Sequence, residues 1–241
     1  VFILHGLFGS SDNWKTLASK FGEHFRIFTV DQRNHGQSFH DDALNYEVMV
    51  DDLARLFDKL DIERASIIGH SMGGKTAMKF TIQNPDRVEK LIVVDIAPRY
   101  YPIHHDAIID ALCELNIKGF KRRKEADRIL AESIENKAVR QFLLKNLTRN
   151  DKGKLTWRIN LPVIRKNLEK IGAEIGENQS TQVPTLFIAG DQSHYIKPSD
   201  EKQIKERFPV SSITYLKGVG HWIHTEAPEE FYHAVMNYLN T

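Results

Sequence analysis

Residues 69 to 74 read GHSMGG, with the apolar run ASIIG ending on the first glycine and the helix-forming stretch KTAMKFTIQ following the last. Ser71 therefore sits where a strand must turn sharply into a helix. The G-x-S-x-G spacing in that context holds the serine in a strained backbone conformation and stands its oxygen clear at a helix N-terminus. That end of a helix favours developing negative charge. Gly69 and Gly73 keep the flanking positions free of side chains that would strike neighbouring strands. The same five residues also describe a plain glycine turn with an incidental serine. The strand before and the helix after are what point to a nucleophile.

A serine hydroxyl attacks poorly until a base takes its proton. Chain order places that base after the last strand, where the sequence reads GVGHWIH and His221 follows SITYL. His224 lies three residues on, heading into the final helix, and is expected to be structural. His70 adjoins Ser71, but the turn points successive side chains apart. His5, in HGLFG, is expected to order its own loop. An acid must then hold the imidazole in one tautomer and stabilise its protonated form. Asp95 ends KLIVVD and Asp191 ends LFIAGD, and the order serine, aspartate, histidine permits both. Asp191 follows the commoner strand but comes directly after Gly190. Enzymes with this chain order often carry the acid further on, where Ser193 and His194 stand. Asp95 precedes the rigid stop IAP and is the favoured acid. An oxyanion hole needs two backbone donors: the N–H of Met72, and one from HGLFGS, either Leu7 (favoured) or Phe8.

These groups need a scaffold, and the rest of the chain supplies its pattern. Short apolar runs at 1–5, 25–31, 65–69, 90–95, 185–190 and 212–216 alternate with amphipathic segments. That is the pattern of an α/β fold: a mostly parallel central sheet with helices on both faces. Tyr46 to Leu60 should be helical, with Val48, Leu53, Leu56, Phe57 and Leu60 on one stripe. The last helix should open at APEEF, with Pro228 in its first turn. Residues 99–180 break the alternation: they contain helical stretches and no convincing strand, as an all-helical lid would. The division is thus 1–98 with 181–241 as the core, and 99–180 as the lid.

Composition narrows the function. The 241 residues carry 33 Lys and Arg against 32 Asp and Glu, a formal net charge of +1. Nothing there calls for nucleic acid as a partner. No window approaches the ~18 apolar residues of a membrane span. The single cysteine, Cys113, rules out an internal disulfide framework and suggests a reducing, cytoplasmic setting. No signal peptide is evident. The chain opens on Val1 in what reads as mid-fold sequence, so a preceding segment is expected.

Taken together, HGLFGSSDNW, DQRNHGQS, GHSMGGKTAM, VVDIAP and GHWIH resemble the α/β-hydrolase superfamily. More narrowly they resemble its YbfF-type acyl esterases and the eukaryotic abhydrolase relatives, with WRINLP in the lid adding to the likeness. The resemblance implies ester or thioester hydrolysis through an acyl-serine, without metal or organic cofactor. It implies Ser71, Asp95 and His221 as the triad and so supports Asp95 over Asp191. It also implies a helical lid over an eight-stranded sheet, and a β-hairpin ahead of VFILHG that this sequence does not contain. In DQRNHGQS, Asp31, Arg33 and Ser38 are expected to pin a turn near the site.

The expected partner is a small acyl ester or thioester, on a monomer or homodimer. Ile108, Leu112, Phe142 and Leu143 are candidates to line the acyl pocket, and Trp222 to wall it. The basic run KGFKRRK (118–124) is a candidate for the phosphates of a coenzyme A thioester, or simply a solvated helix start. The rival readings are a carbon–carbon hydrolase or lyase on the same triad, and a non-catalytic ligand-binding protein. The intact catalytic set argues against the latter.

Overall fold

The computed structural model describes residues 1–102, 106–120 and 122–241. Its main sheet has six strands: β1 (Phe2–Leu4), β2 (Phe28–Val30), β3 (Ala65–His70), β4 (Val88–Val94), β7 (Thr185–Gly190) and β8 (Ser211–Leu216). Strand order is β2–β1–β3–β4–β7–β8, and every neighbouring pair runs parallel. Ile68 sits opposite Ile92, and Ile92 opposite Leu186, so the registers align apolar rows across the sheet.

Strands buried on both faces need apolar residues at every position. β1 and β7 are buried throughout, whereas the edge strand β8 alternates between half-buried and exposed. Successive residues point to opposite faces. Ile3, Ile68, Ile92 and Ile188 therefore join α1 (Lys15–Phe21) and α11 (Pro228–Leu239) in one core. Phe2, Leu4, Ile67, Leu91 and Phe187 join α2 (Tyr46–Lys59), α3 (Met72–Gln83) and α9 (Glu201–Arg207) in the other.

In α2 the Asn45 side chain accepts from the Val48 N–H at 3.0 Å and caps the helix. Its buried stripe is Tyr46, Met49, Val50, Leu53 and Phe57; Val48, Leu56 and Leu60 lie along the margin, so the expected face is rotated slightly. α11 begins at Pro228, where the missing N–H costs nothing.

Between β4 and β7 come α4 (Asp106–Glu114), α5 (Arg123–Leu130), α6 (Lys137–Leu144), α7 (Leu161–Lys166) and α8 (Leu168–Gly172). The expectation of an all-helical segment needs correction. β5 (Leu147–Arg149) and β6 (Leu155–Trp157) form an antiparallel hairpin. The turn decides it: Asn150 Oδ1 accepts from the N–H groups of Lys152 and Lys154, and Gly153 takes φ 71°. Thr148 then faces Thr156 across the pair.

This segment is tied to the sheet by polar contacts. Asn146 Nδ2 donates to the Phe8 carbonyl at 2.7 Å, and Asn160 bonds Asn34 through both backbone and side chain. Arg158 pairs with Asp12 at 2.8 Å. The WRINLP motif is thus a docking strip. Asp31 accepts from the N–H groups of Ser11 and Gln37, and Arg33 forks onto Asp52, which pins the DQRNHGQS loop beneath it. Among the described residues, no helix is long and apolar enough to cross a membrane.

Candidate active site

Ser71 stands between the end of β3 and the first residue of α3 with φ 53° and ψ −118°. A non-glycine residue rarely takes that conformation, and here the surroundings impose it. A Cβ on Gly69 would lie 2.4 Å from the Gly73 carbonyl oxygen, and one on Gly73 would lie 2.5 Å from that of Leu4. Neither position admits a side chain. The Ser71 N–H donates to the Val94 carbonyl at 3.0 Å, which anchors the turn to β4.

One strand over, Asp95 is fully buried, also with a positive φ of 51°. Its N–H donates to Ile188 O at 2.8 Å, so the backbone is fixed before the carboxylate is used. Oδ1 accepts from the Gly190 N–H at 3.2 Å, and Oδ2 from the Ser193 hydroxyl. Oδ2 also faces His221 Nδ1 at 2.7 Å. A carboxylate oxygen only accepts, so Nδ1 carries the proton and the lone pair lies on Nε2. Asp191 is elsewhere: its Oδ1 accepts from the N–H groups of Gly218 and Val219, holding the turn that leads to His221. The structure thus brings Asp95, and not Asp191, to the imidazole. Ser193 occupies the place where an acid was sought, and donates to Asp95.

The His221 ring stacks on Tyr195 at 3.9 Å, and its carbonyl accepts from His70 Nε2 at 2.9 Å. His70 is held neutral by burial, with His221 and His224 pushing its pKa further down. His224 stacks on Trp14 at 4.2 Å, and burial, then His221, drops its pKa to about 3. His5 bonds Gly6 O through Nδ1 and accepts from the Gln32 N–H at Nε2, ordering the loop after β1. In that loop the Phe8 N–H already donates to His35 Nε2 at 3.3 Å. Leu7 lines both cavities around Ser71, and Phe8 lines one of them. Met72 opens α3 and has no carbonyl four residues back to bond. Leu7 thus lines the same cavities as Ser71, and Met72 follows Ser71 in the chain.

Ser71 and His221 line one cavity of about 180 Å³, walled by Ile108, Phe142, Leu143 and Trp222. Leu112 is fully buried in the core and lines no part of it. A second cavity, about 50 Å³, also opens on Ser71 and is lined by Tyr46, Lys75 and Tyr101. Larger cavities of about 430 and 520 Å³ contain none of Ser71, Asp95 or His221. Of the basic run, Lys121 lies outside the described residues, and Arg123 donates to the Leu147 carbonyl. Among the described residues, no group of three or more His, Cys, Asp or Glu is placed to hold a metal.

Three participants escaped the reading of the sequence. Ser193 and Tyr195 act through tertiary contact, with no motif to flag them. Lys75 did leave a signal: a charged residue one helical turn after Ser71, amid the apolar face of α3. It is buried, and burial followed by Arg99 lowers its pKa to about 7. Its ammonium donates to the carbonyls of Arg99, Gly172 and Ala173.

Comparison with known proteins agrees with this fold. The alpha/beta hydrolase fold family matches residues 1–228. The chain is 38% identical over 247 residues to the mouse sn-1-specific diacylglycerol lipase ABHD11, covering 99% of this chain and 80% of that one. It is 35% identical over 243 residues to Esterase YbfF of Escherichia coli, covering 100% and 92%. A solved marine microorganism esterase superposes with a TM-score of 0.96 at 42% identity, covering 98% of this chain and 94% of that one. By sequence match and by fold, this chain belongs to the α/β-hydrolase family.

Proposed function

We propose that the protein hydrolyses carboxylic esters, and thioesters by the same chemistry, through an acyl-serine intermediate. His221 Nε2 takes the Ser71 proton as Oγ attacks the carbonyl carbon. The oxyanion that forms is met by the N–H groups of Leu7 and Met72, each donor contributing on the order of 3 kcal/mol. Asp95 stabilises the imidazolium without itself taking the proton. The imidazolium then protonates the leaving group, and the bond from the carbonyl carbon to that group breaks. Water, deprotonated by His221, attacks the acyl-serine; the acid departs and Ser71 regains its proton. Residues 99–180 serve as the lid that roofs this site and excludes bulk water.

The observation that carries the reading is the 2.7 Å contact of His221 Nδ1 with a fully buried Asp95, at a cavity that His221 shares with the strained Ser71. The names of the relatives, an esterase and a lipase, support the same bond type. A fluorophosphonate probe followed by mass mapping tests it: the label falls on Ser71, and Ser71→Ala lowers turnover of a 4-nitrophenyl ester by about 10⁴-fold or more. Turnover by the alanine variant equal to that of the parent would reject the nucleophile.

A further inference from the structure

Ser71 stands where two branches of the site meet, and only one of them holds the general acid. His221 and Trp222 line the branch of about 180 Å³. Tyr46, Lys75, Ile96 and Ile171 line the branch of about 50 Å³, which His221 does not touch. In ester cleavage the leaving oxygen must receive its proton from the imidazole. The alcohol therefore lies on the His221 side, and the acyl chain points the other way.

We propose that the smaller branch is the acyl pocket and that Tyr46, Lys75 and Ile171 close its far end, making the protein selective for short acyl groups on larger apolar alcohols. This rests on the acyl-serine reading given above. A water-sized occupant takes about 10–15 Å³, so the branch holds about four non-hydrogen atoms beyond the carbonyl carbon. The other branch holds about fifteen by the same measure.

The end wall is pinned. The Tyr46 hydroxyl donates to the Ile171 carbonyl at 2.6 Å. Lys75 Nζ donates to Arg99 O at 2.9 Å, to Gly172 O at 3.0 Å and to Ala173 O. An ammonium has three protons, and three carbonyls take them. Lys75 has no donor left for a substrate, and swinging it aside would leave a buried amine and three carbonyls without their partners. Its three acceptors sit at both ends of the segment between β4 and β7, so lengthening the pocket means unseating that segment.

The test is a series of 4-nitrophenyl esters from acetate to dodecanoate, read as ratios of kcat/KM. A ratio taken on one protein sample is independent of the fraction folded. Each methylene that the pocket excludes costs about tenfold, so butanoate should exceed octanoate by at least that factor in the parent. Ile171→Ala removes side-chain carbons from the wall and keeps the carbonyl that Tyr46 uses. It should raise the octanoate-to-butanoate ratio by about tenfold, and the milder Ile171→Val should move it the same way by less. Phe142→Ala, in the larger branch, should leave this ratio within about twofold and favour bulkier alcohols. A parent that prefers octanoate or longer chains overturns the proposal. So does a length profile that shifts in Phe142→Ala but not in Ile171→Ala, which reverses the branches. Fluorophosphonate labelling of the same samples separates the two levels. Label on Ser71 with the wrong length profile overturns only the pocket assignment, and no label on Ser71 overturns the acyl-serine reading as well.

Discussion

The carboxyl edge of the sheet and the segment at 99–180 are built on different principles. At the sheet edge, backbone packs on backbone. Gly73 has no room for a single added carbon, and Phe8, Asn34, Ser71 and Asp95 are held at φ of 60°, 65°, 53° and 51°. Residues 99–180 show one positive-φ non-glycine residue among those described, Asn178, of a type that tolerates it. Gly119 there faces open space, whereas a Cβ on Gly172, where the segment returns to the core, would lie 2.2 Å from the Tyr101 carbonyl oxygen. Beside the backbone bonds from Asn160 to Asn34 and from Ile175 to Pro98, that segment is placed by side chains reaching carbonyls: Asn146 to Phe8, Lys75 to Gly172, Tyr46 to Ile171. Strain at the sheet edge is over-determined by neighbours that cannot move, so it fixes reacting groups. Side-chain ties can be exchanged one at a time, so the segment they hold is free to set substrate range. On the reading proposed above, the difference gives chemistry to one region and selectivity to the other.

The severest way to break that assignment is to exchange carboxylates for amides at the sheet edge. Asp95→Asn keeps the shape but offers an NH₂ group or a neutral oxygen to His221 Nδ1, and the imidazole loses its imposed tautomer. Turnover of a 4-nitrophenyl ester should fall about 10⁴-fold with the fold intact by circular dichroism. Asp191→Asn retains an oxygen for the Gly218 and Val219 N–H groups, and activity should stay within about threefold. If Asp191→Asn proved the more damaging, the acid would have been misassigned.

A stability pair sharpens the same contrast. Gly73→Ala drives a Cβ against the Leu4 and His5 carbonyl oxygens at 2.5 and 2.6 Å, backbone atoms at the end of β1. The cost should be about 3 kcal/mol, seen as a lower urea midpoint at unchanged slope. Gly119→Ala meets nothing within 4 Å and should change stability by no more than about 0.5 kcal/mol. Equal costs would mean that the two regions are packed alike.

The same division explains what could be read from residues alone. Runs such as KLIVVD and TLFIAG announce strands because burial on both faces leaves no polar option, and β7 falls where TLFIAG places it. Ser71 and His221 were legible because a strained turn and a loop after the last strand constrain residue type locally. Asp95 was legible only as one of two. The Gly190 N–H and the Ser193 hydroxyl that hold its carboxylate come from residues about 95 positions away, and no local pattern encodes such a meeting. In 99–180 the β5–β6 hairpin was missed because three-residue strands are too short to show a period, although Asn150 and Gly153 carried the turn chemistry. Lys75 stood out as a charge amid the apolar face of α3, but its three carbonyl partners come from segments about 24 to 98 residues away, which no local pattern encodes.

Acid provides the gentlest probe of the contrast. His35 and His224 are buried, and burial above all, with neighbouring His5 and His221 respectively, brings each to a pKa of about 3. Burial lowers His5 and His70 as well, and all four lie outside 99–180. The folded state keeps these rings neutral, while the unfolded chain binds a proton near pH 6.5. For His35 and His224 the stabilising contribution is therefore complete above pH 6.5 and is lost as pH falls toward 3, at about 1.4 kcal/mol per unit for each of these two rings. By pH 5 that amounts to about 2 kcal/mol for His224 alone. His224→Phe keeps a ring against Trp14, where His224 Nδ1 has no partner to lose, and removes one titrating group beside His70 and His221. The difference in urea-unfolding free energy between pH 7 and pH 5 should shrink by about 2 kcal/mol in that variant. An unchanged difference would mean that His224 takes up its proton in the folded state. Because the neutral rings cluster under the sheet edge, amide exchange at pH 5 should accelerate in β1 and β3 before α6. Acceleration in α6 first would place the acid-sensitive weakness in the segment that sets selectivity, against the division argued above.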